Sequence, residues 1–428
     1  MDGEPAAPGT TGPGARALLR IRDFRVLWSA QLISDIGDGL TATALLLLVN
    51  HLTGSVAALA AMAIALAVPP LTVGLVAGTY ADRWNRRQIM MASDLIRALL
   101  VLGFVLVDSI DRLWLLYLLA FLQSSVGTFF NPAKGAMLPR LVPGEGLMSA
   151  NSVSQATRVI SNVAGTAIAG GMIGLAGIYW PAFLFDSLSF AASFLLVSRL
   201  APALGEVTRG EHGSDSGSVR TSLAEGLRIV RGSRVLWVTI LVLSLAMLGL
   251  GAINVLFVPL IVNVLGASAA WFGPLEAAQT TSMVLATGIV AALAVRFRAA
   301  GIVSVASLAA GLAIAVLALV TEVWHVMLVL FAIGWVITPL QSAVVTLLQV
   351  NSVDAVRGRV MSVMNASMAA TSVVSMAAAG IVAEGLGVQG AFFIGGGVCF
   401  AAGLVGFVLY PRANAGLAAE ALVEVPRA

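Results

Sequence analysis

The feature that most constrains this chain is a succession of apolar stretches that runs through almost its whole length. Two uninterrupted runs are residues 40–49 and 308–320, and several stretches exceed the roughly 20 residues that a helix needs to cross a bilayer. Only 11% of the 428 residues are charged, against about 25% in soluble domains. The blocks do not alternate as barrel strands would, and backbone groups in lipid must bond within their own segment, so transmembrane helices are predicted.

The apolar blocks form two groups of six, separated by a hydrophilic stretch. The predicted spans are 25–49, 57–79, 88–108, 113–137, 149–176 and 179–199, then 235–263, 269–295, 299–320, 324–350, 358–384 and 388–410. The predicted fold is therefore an all-α membrane protein of twelve transmembrane helices. Its domains are a disordered N-terminal tail (1–24), a six-helix bundle (25–199), a linker (200–233), a second six-helix bundle (234–410) and a C-terminal tail (411–428).

Basic residues lie almost entirely in alternate loops. The loops after the second, fourth, eighth and tenth spans and the central linker hold arginine or lysine, whereas the opposite loops hold one basic residue, Arg112. Because basic loops stay on the cytoplasmic side, both termini and the linker are predicted to be cytoplasmic. The chain is thus expected to be a multi-pass protein of the cytoplasmic (inner) membrane.

No pattern in the sequence indicates catalysis, a metal site or nucleic-acid binding. The three histidines lack ligand spacing, the single cysteine, Cys399, excludes an internal disulfide, and no nucleotide loop or nucleophile–base set occurs. Basic residues stand at helix ends and form no cluster beside aromatic residues. We therefore expect no enzyme activity, no catalytic residue, no metal and no cofactor. The glycine-rich segment 170–174 is interpreted as a helix-packing site.

The two groups of spans repeat each other. The string RVLW occurs at 25–28 and again at 234–237, 209 residues later. Residues 81–87 (ADRWNRR) align with 294–300 (AVRFRAA), and 147–150 (LMSA) align with 360–363 (VMSV), in both cases 213 residues apart. Six spans is an even number, so both halves enter the membrane from the same side. This predicts parallel repeats with the functional site between them near the midplane.

Residues 78–87 (GTYADRWNRR) resemble the signature G-x-x-x-D-R-x-G-R-R between the second and third spans of the major facilitator superfamily. Asn85 stands where glycine is usual, and it is expected to hold a left-handed backbone there. The resemblance implies a cytoplasmic gating motif that favours the outward-open state; the alternative is a basic loop with no further role. The matching residues are Gly78, Asp82, Arg83, Arg86 and Arg87.

The resemblance covers nearly the whole chain. Within the superfamily, the first half is most similar to bacterial exporters that include macrolide efflux pumps and the enterobactin exporter, through residues 24–40, 129–142 and 185–193. Residues 165–170 (GTAIAG) are similar to the antiporter signature G-P-x-x-G-G, although ordinary small-residue packing explains them equally well. Gln123 stands where many proton-coupled antiporters carry arginine. The resemblance implies secondary active transport by alternating access, usually by a monomer.

Ionisable side chains inside the predicted spans are the candidates for proton coupling. Charge in lipid is costly, and burial favours the neutral form of a carboxyl group. Asp35 and Asp38 share one face of the first span; the alternative for Asp38 is a structural acid bonded to Gln31 or to the fifth span. Asp186 could equally accept a hydrogen bond in helix packing. The proton-coupling candidates are Asp38, Asp35, Glu276 and Asp186.

Three further charges complete the set of candidate residues. Asp94 and Arg97 share a face of the third span near its cytoplasmic end, so we assign them to the gating motif as latch partners or as a structural pair. Arg158 lies deep in the fifth span and is expected to balance the charge of Asp35 or Asp94.

Three functions remain open from the sequence. The favoured one is proton-coupled export of an amphipathic small molecule, such as a drug or a siderophore. The second is lysophospholipid or other lipid transport, because residues 34–40 and 131–139 are also similar to bacterial lysophospholipid transporters; a lateral opening between the halves would favour it. The third is a non-transporting membrane enzyme or sensor. The expected partners are the small-molecule or lipid substrate, protons and the bilayer, with no nucleic acid.

Overall fold

The computed structural model describes residues 15–74, 77, 80, 83–206 and 219–423, and this part of the chain is almost entirely helical. The first half contains α1 (Arg22–Thr53), α2 (Val56–Thr72), α3 (Arg86–Phe104), α4 (Leu113–Leu141), α5 (Leu147–Ala176) and α6 (Trp180–Val197). The second contains α7 (Arg234–Val264), α8 (Phe272–Arg296), α9 (Ala299–Leu317), α10 (Val323–Val350) and α11 (Asp354–Val423). The linker helix, Val219–Gly232, lies between the halves in sequence.

Two of these helices are interrupted. In α7, Arg234–Leu250 is followed by Ile253–Pro259 and then by a wide π-helical turn, Leu260–Val264. In α11 the chain turns at Gly387, whose φ of 75° and ψ of 170° are accessible to glycine without steric cost. The turn falls between the predicted eleventh and twelfth spans, so α11 holds both of them.

The helical membrane fold is confirmed, whereas the count of twelve spans stays a prediction. Nine stretches of the described chain are long and apolar enough to cross a membrane. Helix α2 has 17 residues and falls short of that length, and α3 carries four charged side chains. The last of the nine stretches, Val356–Pro411, includes the turn at Gly387 and is counted once.

The predicted tails and linker are ordered over part of their length. The expectation of a disordered tail over 1–24 is wrong for its second part, because Ala15–Leu18 forms a helical turn and α1 begins at Arg22. Leu18 is fully buried in an apolar core with Phe24 and Val142, which holds this segment in place. Residues 1–14, 207–218 and 424–428 lie outside the described residues.

Polar side chains begin several of the helices. Ser55 accepts a hydrogen bond from the backbone N–H of Ala58 at the start of α2, and Ser233 caps α7 in the same way. The expectation that Asn85 holds a left-handed backbone is wrong. Its φ is −61°, and its side chain accepts a hydrogen bond from the N–H of Gln88 to cap α3. Asn85 therefore acts as the N-cap of α3.

The two halves are joined at one end and separate at the other. Buried apolar residues of both halves, among them Leu45, Leu59 and Val255, form one continuous core at the end away from the arginine-rich loops. At the arginine-rich end each half has its own core, around Met137 in the first half and Leu348 in the second. The two halves therefore meet at the end away from the arginine-rich loops, which we call the outer end, and have separate cores at the arginine-rich end.

Small residues allow the close contact at the closed end. A Cβ atom on Gly174 would lie 2.4 Å from the backbone nitrogen of Ala270, and one on Gly170 would lie 2.5 Å from the carbonyl oxygen of Ala269. Only glycine permits such an approach between α5 and the start of α8. The interpretation of residues 170–174 as a packing site is confirmed.

A pair of asparagines also closes the outer end. Each of Asn50 and Asn263 donates its side-chain N–H to the side-chain oxygen of the other, with both distances 2.9 Å. The two residues are 213 positions apart, which is the separation of the sequence repeats. Equivalent residues of the two halves thus meet across the axis that relates them.

Replacing either asparagine of this pair by alanine should open the outer end more often. Either substitution removes both hydrogen bonds, which together stabilise the closed end by about 1 kcal/mol, or about fivefold in population. A cysteine placed at Gln279 in a Cys399→Ala background would report opening by its labelling with a membrane-impermeant maleimide. Asn50→Ala, Asn263→Ala and the double variant should raise labelling equally. Additive effects of the two single substitutions would contradict the reciprocal pair.

The control for this prediction is Thr43→Val. The Thr43 hydroxyl donates to the hydroxyl of Thr166 at 3.2 Å, within the first half. Its loss removes a polar contact from the same region and leaves the Asn50–Asn263 pair intact. Labelling at Gln279 should therefore stay at the level of the parent protein.

Candidate functional site

A cavity of about 620 Å³ lies inside the first half, between its middle and the arginine-rich end. Helices α1 to α5 line it, and amide side chains from α1, α4 and α5 face it beside the charges. Such a charged cavity within apolar helices marks a pathway for polar or ionic species. Its charged lining residues are Asp35, Asp38, Arg97, Lys134 and Arg158.

Arg97 on α3 forms an ion pair with Asp38 on α1. The guanidinium carbon lies 3.9 Å from the centre of the Phe190 ring on α6, so a cation–π contact holds it from the other side. A Cβ atom on Gly127 would lie 3.3 Å from Arg97 Nε, and glycine at this position of α4 leaves room for the guanidinium. Both side chains line the cavity, and Asp38, which is 36% exposed against 10% for Arg97, is the more exposed partner.

Two further carboxyl groups interact with Arg97 but do not line the cavity. Asp94 is fully buried and accepts a hydrogen bond of 2.6 Å from the Ser193 hydroxyl, and Asp186 is fully buried and accepts one of 3.1 Å from Ser189. Both interact electrostatically with Arg97. We call this set the buried charge cluster; its members are Asp38, Asp94, Arg97 and Asp186.

The buried charge cluster contains more acid than base. Three carboxyl groups share one guanidinium, and Asp94 Oδ1 has no hydrogen-bond partner among the described residues. If all three carboxyl groups were ionised, two would have no counter-ion, and an uncompensated buried charge is costly. The cluster therefore has the composition of a site that gains and loses protons.

These four residues were predicted to have two different roles. Asp94 and Arg97 were assigned to the gating motif, as latch partners or as a structural pair, but Arg97 forms an ion pair with Asp38 of α1. The alternative that Asp38 is bonded to Gln31 or to the fifth span is wrong for the same reason. Gln123 stands where many proton-coupled antiporters carry arginine, and the guanidinium of Arg97 from α3 lies against Gly127, four residues further along α4. The glycine at 127 was the only signal for that contact.

The rest of the gating motif contacts the first half. Arg87 donates to the carbonyl oxygens of Val197, at 3.3 Å, and Ser198, at 2.6 Å, where it caps the C-terminal end of α6. Arg86 is buried and donates to the carbonyl oxygen of Ala136 at 3.4 Å. Arg83 is exposed. The other two motif residues, Gly78 and Asp82, lie outside the described residues.

Three charged residues of the cavity have no direct partner. Asp35, Lys134 and Arg158 make no hydrogen bond or ion pair with a described residue. Asp35 is nevertheless within electrostatic range of both cations. Arg158 is therefore near enough to interact with Asp35, and its role as the charge partner of Asp35 or Asp94 stays a prediction.

A second cavity, of about 440 Å³, lies between the two halves and nearer the outer end. Its lining is mainly apolar, with Phe257 and Phe272 in edge contact at 5.4 Å between ring centres. Glu276 on α8 supplies its acidic group. Ala42 and Asn162 line both cavities, so the two are adjacent. Together they extend from the arginine-rich end toward the Asn50–Asn263 pair.

Two helical halves joined at one end, with adjoining cavities between and within them, define a helical membrane transporter. A family model described as a transmembrane secretion effector, of the major facilitator type, matches residues 14–425. The chain belongs to this family of transporters. The fold and family predictions are confirmed.

Curated relatives cover most of the chain. It is 28% identical over 395 residues to the MFS-type transporter YfiS of Bacillus subtilis, covering 90% of this chain and 92% of the relative. It is 29% identical over 418 residues to the multidrug efflux pump Tap of Mycobacterium tuberculosis, covering 94% and 97%. Macrolide efflux protein A of Streptococcus pyogenes is 28% identical over 244 residues, covering 56% and 58%.

Solved structures share the fold. The nucleoside transporter NupG superposes with a TM-score of 0.75 at 12% identity, covering 91% of this chain and all of that one. A bacterial homologue of the iron transporter ferroportin, in an inward-facing state, gives 0.71 at 14% identity, covering 92% and 99%.

Proposed function

We propose that this protein is a proton-coupled exporter of amphipathic small molecules that works by alternating access as a monomer. The names of Tap and macrolide efflux protein A support export as the direction of transport. The observation that carries proton coupling is the Arg97–Asp38 ion pair, set in a cluster with an excess of carboxyl groups. The pattern of basic loops supports a cytoplasmic membrane location with both termini and the linker inside.

The proton would enter through Asp38, the carboxyl group of the cluster that lines the cavity. Protonation neutralises Asp38 and removes the attraction that holds Arg97 to α1. Arg97 then has Asp94 and Asp186 as remaining partners, on α3 and α6. Release of α1 matters because the same helix carries Asn50, twelve residues further on, or about 18 Å at about 1.5 Å per residue. A proton in the cluster and the closure at the outer end are thereby linked through one helix.

The two adjoining cavities support an amphipathic substrate. The cavity inside the first half, called the inner cavity, offers charged and amide side chains. The cavity between the halves, called the outer cavity, offers a mainly apolar surface. A molecule with a polar group and an apolar body would fill both. Asp35 and Glu276, one in each cavity, are additional proton-coupling candidates.

The gating role of residues 78–87 also remains a proposal. Arg86 and Arg87 fix the start of α3 to α4 and α6, so the motif would move with the first half as one body. We expect Gly78, Asp82 and Arg83 to contact the second half when the arginine-rich end closes.

The test uses everted membrane vesicles that carry a pH gradient, followed with a fluorescent dye. Lipophilic cations, macrolides and lysophospholipids are added in turn. An exported compound should collapse the gradient with the parent protein and fail to do so with Asp38→Asn, because asparagine cannot carry the proton. The matched control is Asp108→Asn, which changes an exposed carboxyl paired with Arg112 outside the cavities.

Three other results would overturn parts of this proposal. Equal collapse with Asp38→Asn would remove Asp38 from coupling. No collapse by any compound, together with passage of labelled lysolipid, would replace export by lipid transport. If the protein moved neither drugs nor lipids, the result would favour a sensor, a function that family membership does not support.

A further inference from the structure

Two basic side chains of the inner cavity have no anionic partner in contact. Lys134 on α4 and Arg158 on α5 both line it and interact electrostatically with each other. Neither makes a hydrogen bond or an ion pair with a described residue. Like charges held close together in a cavity repel each other, and an anion placed between them removes that repulsion.

The bias of basic residues toward the cytoplasm does not account for this pair. That bias places arginine and lysine in loops at the headgroup level. Lys134 and Arg158 instead lie within helices and line a cavity that also contains Asn131 and Asn162. With Arg97 and Asp38 paired, the remaining charges are these two cations and Asp35. The cavity thus has one positive charge in excess.

The position of Arg158 relates this charge to the outer cavity. Asn162 is four residues further along α5, on the same helix face, and lines both cavities. A group bound at Arg158 therefore lies about one helical turn from the junction with the apolar cavity. A guanidinium also presents two parallel N–H donors that can bind two oxygens of a carboxylate or a phosphate at once.

We propose that Lys134 and Arg158 bind the anionic group, a carboxylate or a phosphate, of the exported amphipath, whose apolar body occupies the outer cavity. This inference rests on the proposed export function and narrows its substrate class. Asp35 faces the same two cations and accommodates an amine on the same substrate. Anionic and zwitterionic amphipaths are then preferred to purely cationic ones.

The test compares two dyes that differ in one group. Rhodamine 110 has a free carboxylate, and rhodamine 123 is its methyl ester. Equilibrium binding to the full-length protein in nanodiscs is measured by fluorescence anisotropy without a pH gradient, and export is measured in energised everted vesicles. Lys134→Gln, Arg158→Gln and their double variant are compared with Arg112→Gln, which removes a basic residue outside the cavity.

The double variant should weaken binding of the free acid by about tenfold or more and change binding of the ester by less than about twofold. Arg158→Lys retains the charge and should keep most of the affinity. Dodecyl phosphate and laurate, added as competitors, show which anion is preferred, and displacement by either should disappear in the double variant.

The outcomes separate this inference from the proposed function. If the parent protein binds the ester as well as the acid, or if the variants weaken both dyes equally, anion recognition is wrong. The export proposal survives that result when either dye is exported in a manner that requires Asp38. Conversely, acid binding that requires Lys134 and Arg158, with no export of any compound, would sustain the anion site and reject the exporter.

Discussion

Replacing Arg97 by glutamine is expected to abolish substrate-driven proton movement and to destabilise the protein by about 3–5 kcal/mol. Arg97 is the cation that faces all three carboxyl groups of the buried charge cluster. Without it Asp38 loses its ion pair, and Asp94 and Asp186 remain buried with hydroxyl partners alone. The cluster would then have to hold its protons permanently and could no longer exchange them.

Thermal unfolding of the purified protein measures the stability, and the vesicle assay measures coupling. Arg97→Lys keeps the charge but loses the planar contact with Phe190, so it should fold and couple more weakly. The double variant Asp38→Asn/Arg97→Gln removes both members of the pair and should recover part of the stability without recovering coupling. Full coupling in Arg97→Gln would remove the cluster from the mechanism.

The second large effect is expected at Gly165, where α5 meets α1. A Cβ atom there would lie 2.3 Å from the carbonyl oxygen of Ile36 and 2.7 Å from the backbone nitrogen of Leu40. Gly165→Ala must therefore separate two helix backbones, and we expect a loss of about 1–3 kcal/mol in stability and of most transport. The transport loss follows because α1 and α5 carry Asp38 and Arg158 into the same cavity.

The matched control lies on the same helix. Gly171 has no atom within 4 Å of an added Cβ, so Gly171→Ala should leave transport unchanged and should slightly stabilise α5. Thermal unfolding and dye export in parallel distinguish the two variants. If both alanine variants behaved alike, the close contact at Gly165 would have no mechanical role. The close contact at Gly165 supports the packing alternative for residues 165–170, and their antiporter role stays a prediction.

The sequence predicted the class of fold because lipid imposes a strong and simple rule on composition. Long apolar blocks, alternating basic loops and the repeat at 213 residues are all visible without tertiary structure. Asp38 was found for the same reason, since a carboxylate in an apolar helix stands out. Asn85 was misjudged because a helix cap and a left-handed turn favour the same residue type.

The partners of the charged residues could not be predicted in the same way. Arg97 was assigned to the gate from its position along α3, whereas its role depends on which face of α3 meets α1. Lys134 was not among the candidate residues, although it lies within α4, which ends at Leu141, and its side chain lines the cavity of the first half. Such contacts arise from packing between helices, and a single sequence does not encode which faces meet.

The repeat that brings Asn50 to Asn263 can be applied to the buried charge cluster. The positions 213 residues after its four members hold Gly251, Ser307, Ala310 and Cys399, none of them charged at neutral pH. The second half therefore has no counterpart of the buried charge cluster at these positions, and Glu276 is the acidic group that it brings to the second cavity. Residues of the second half at these positions are then not constrained by the chemistry of the cluster. Side chains of the second half that line the second cavity can therefore be replaced, and the substrate specificity can change, without altering the buried charge cluster.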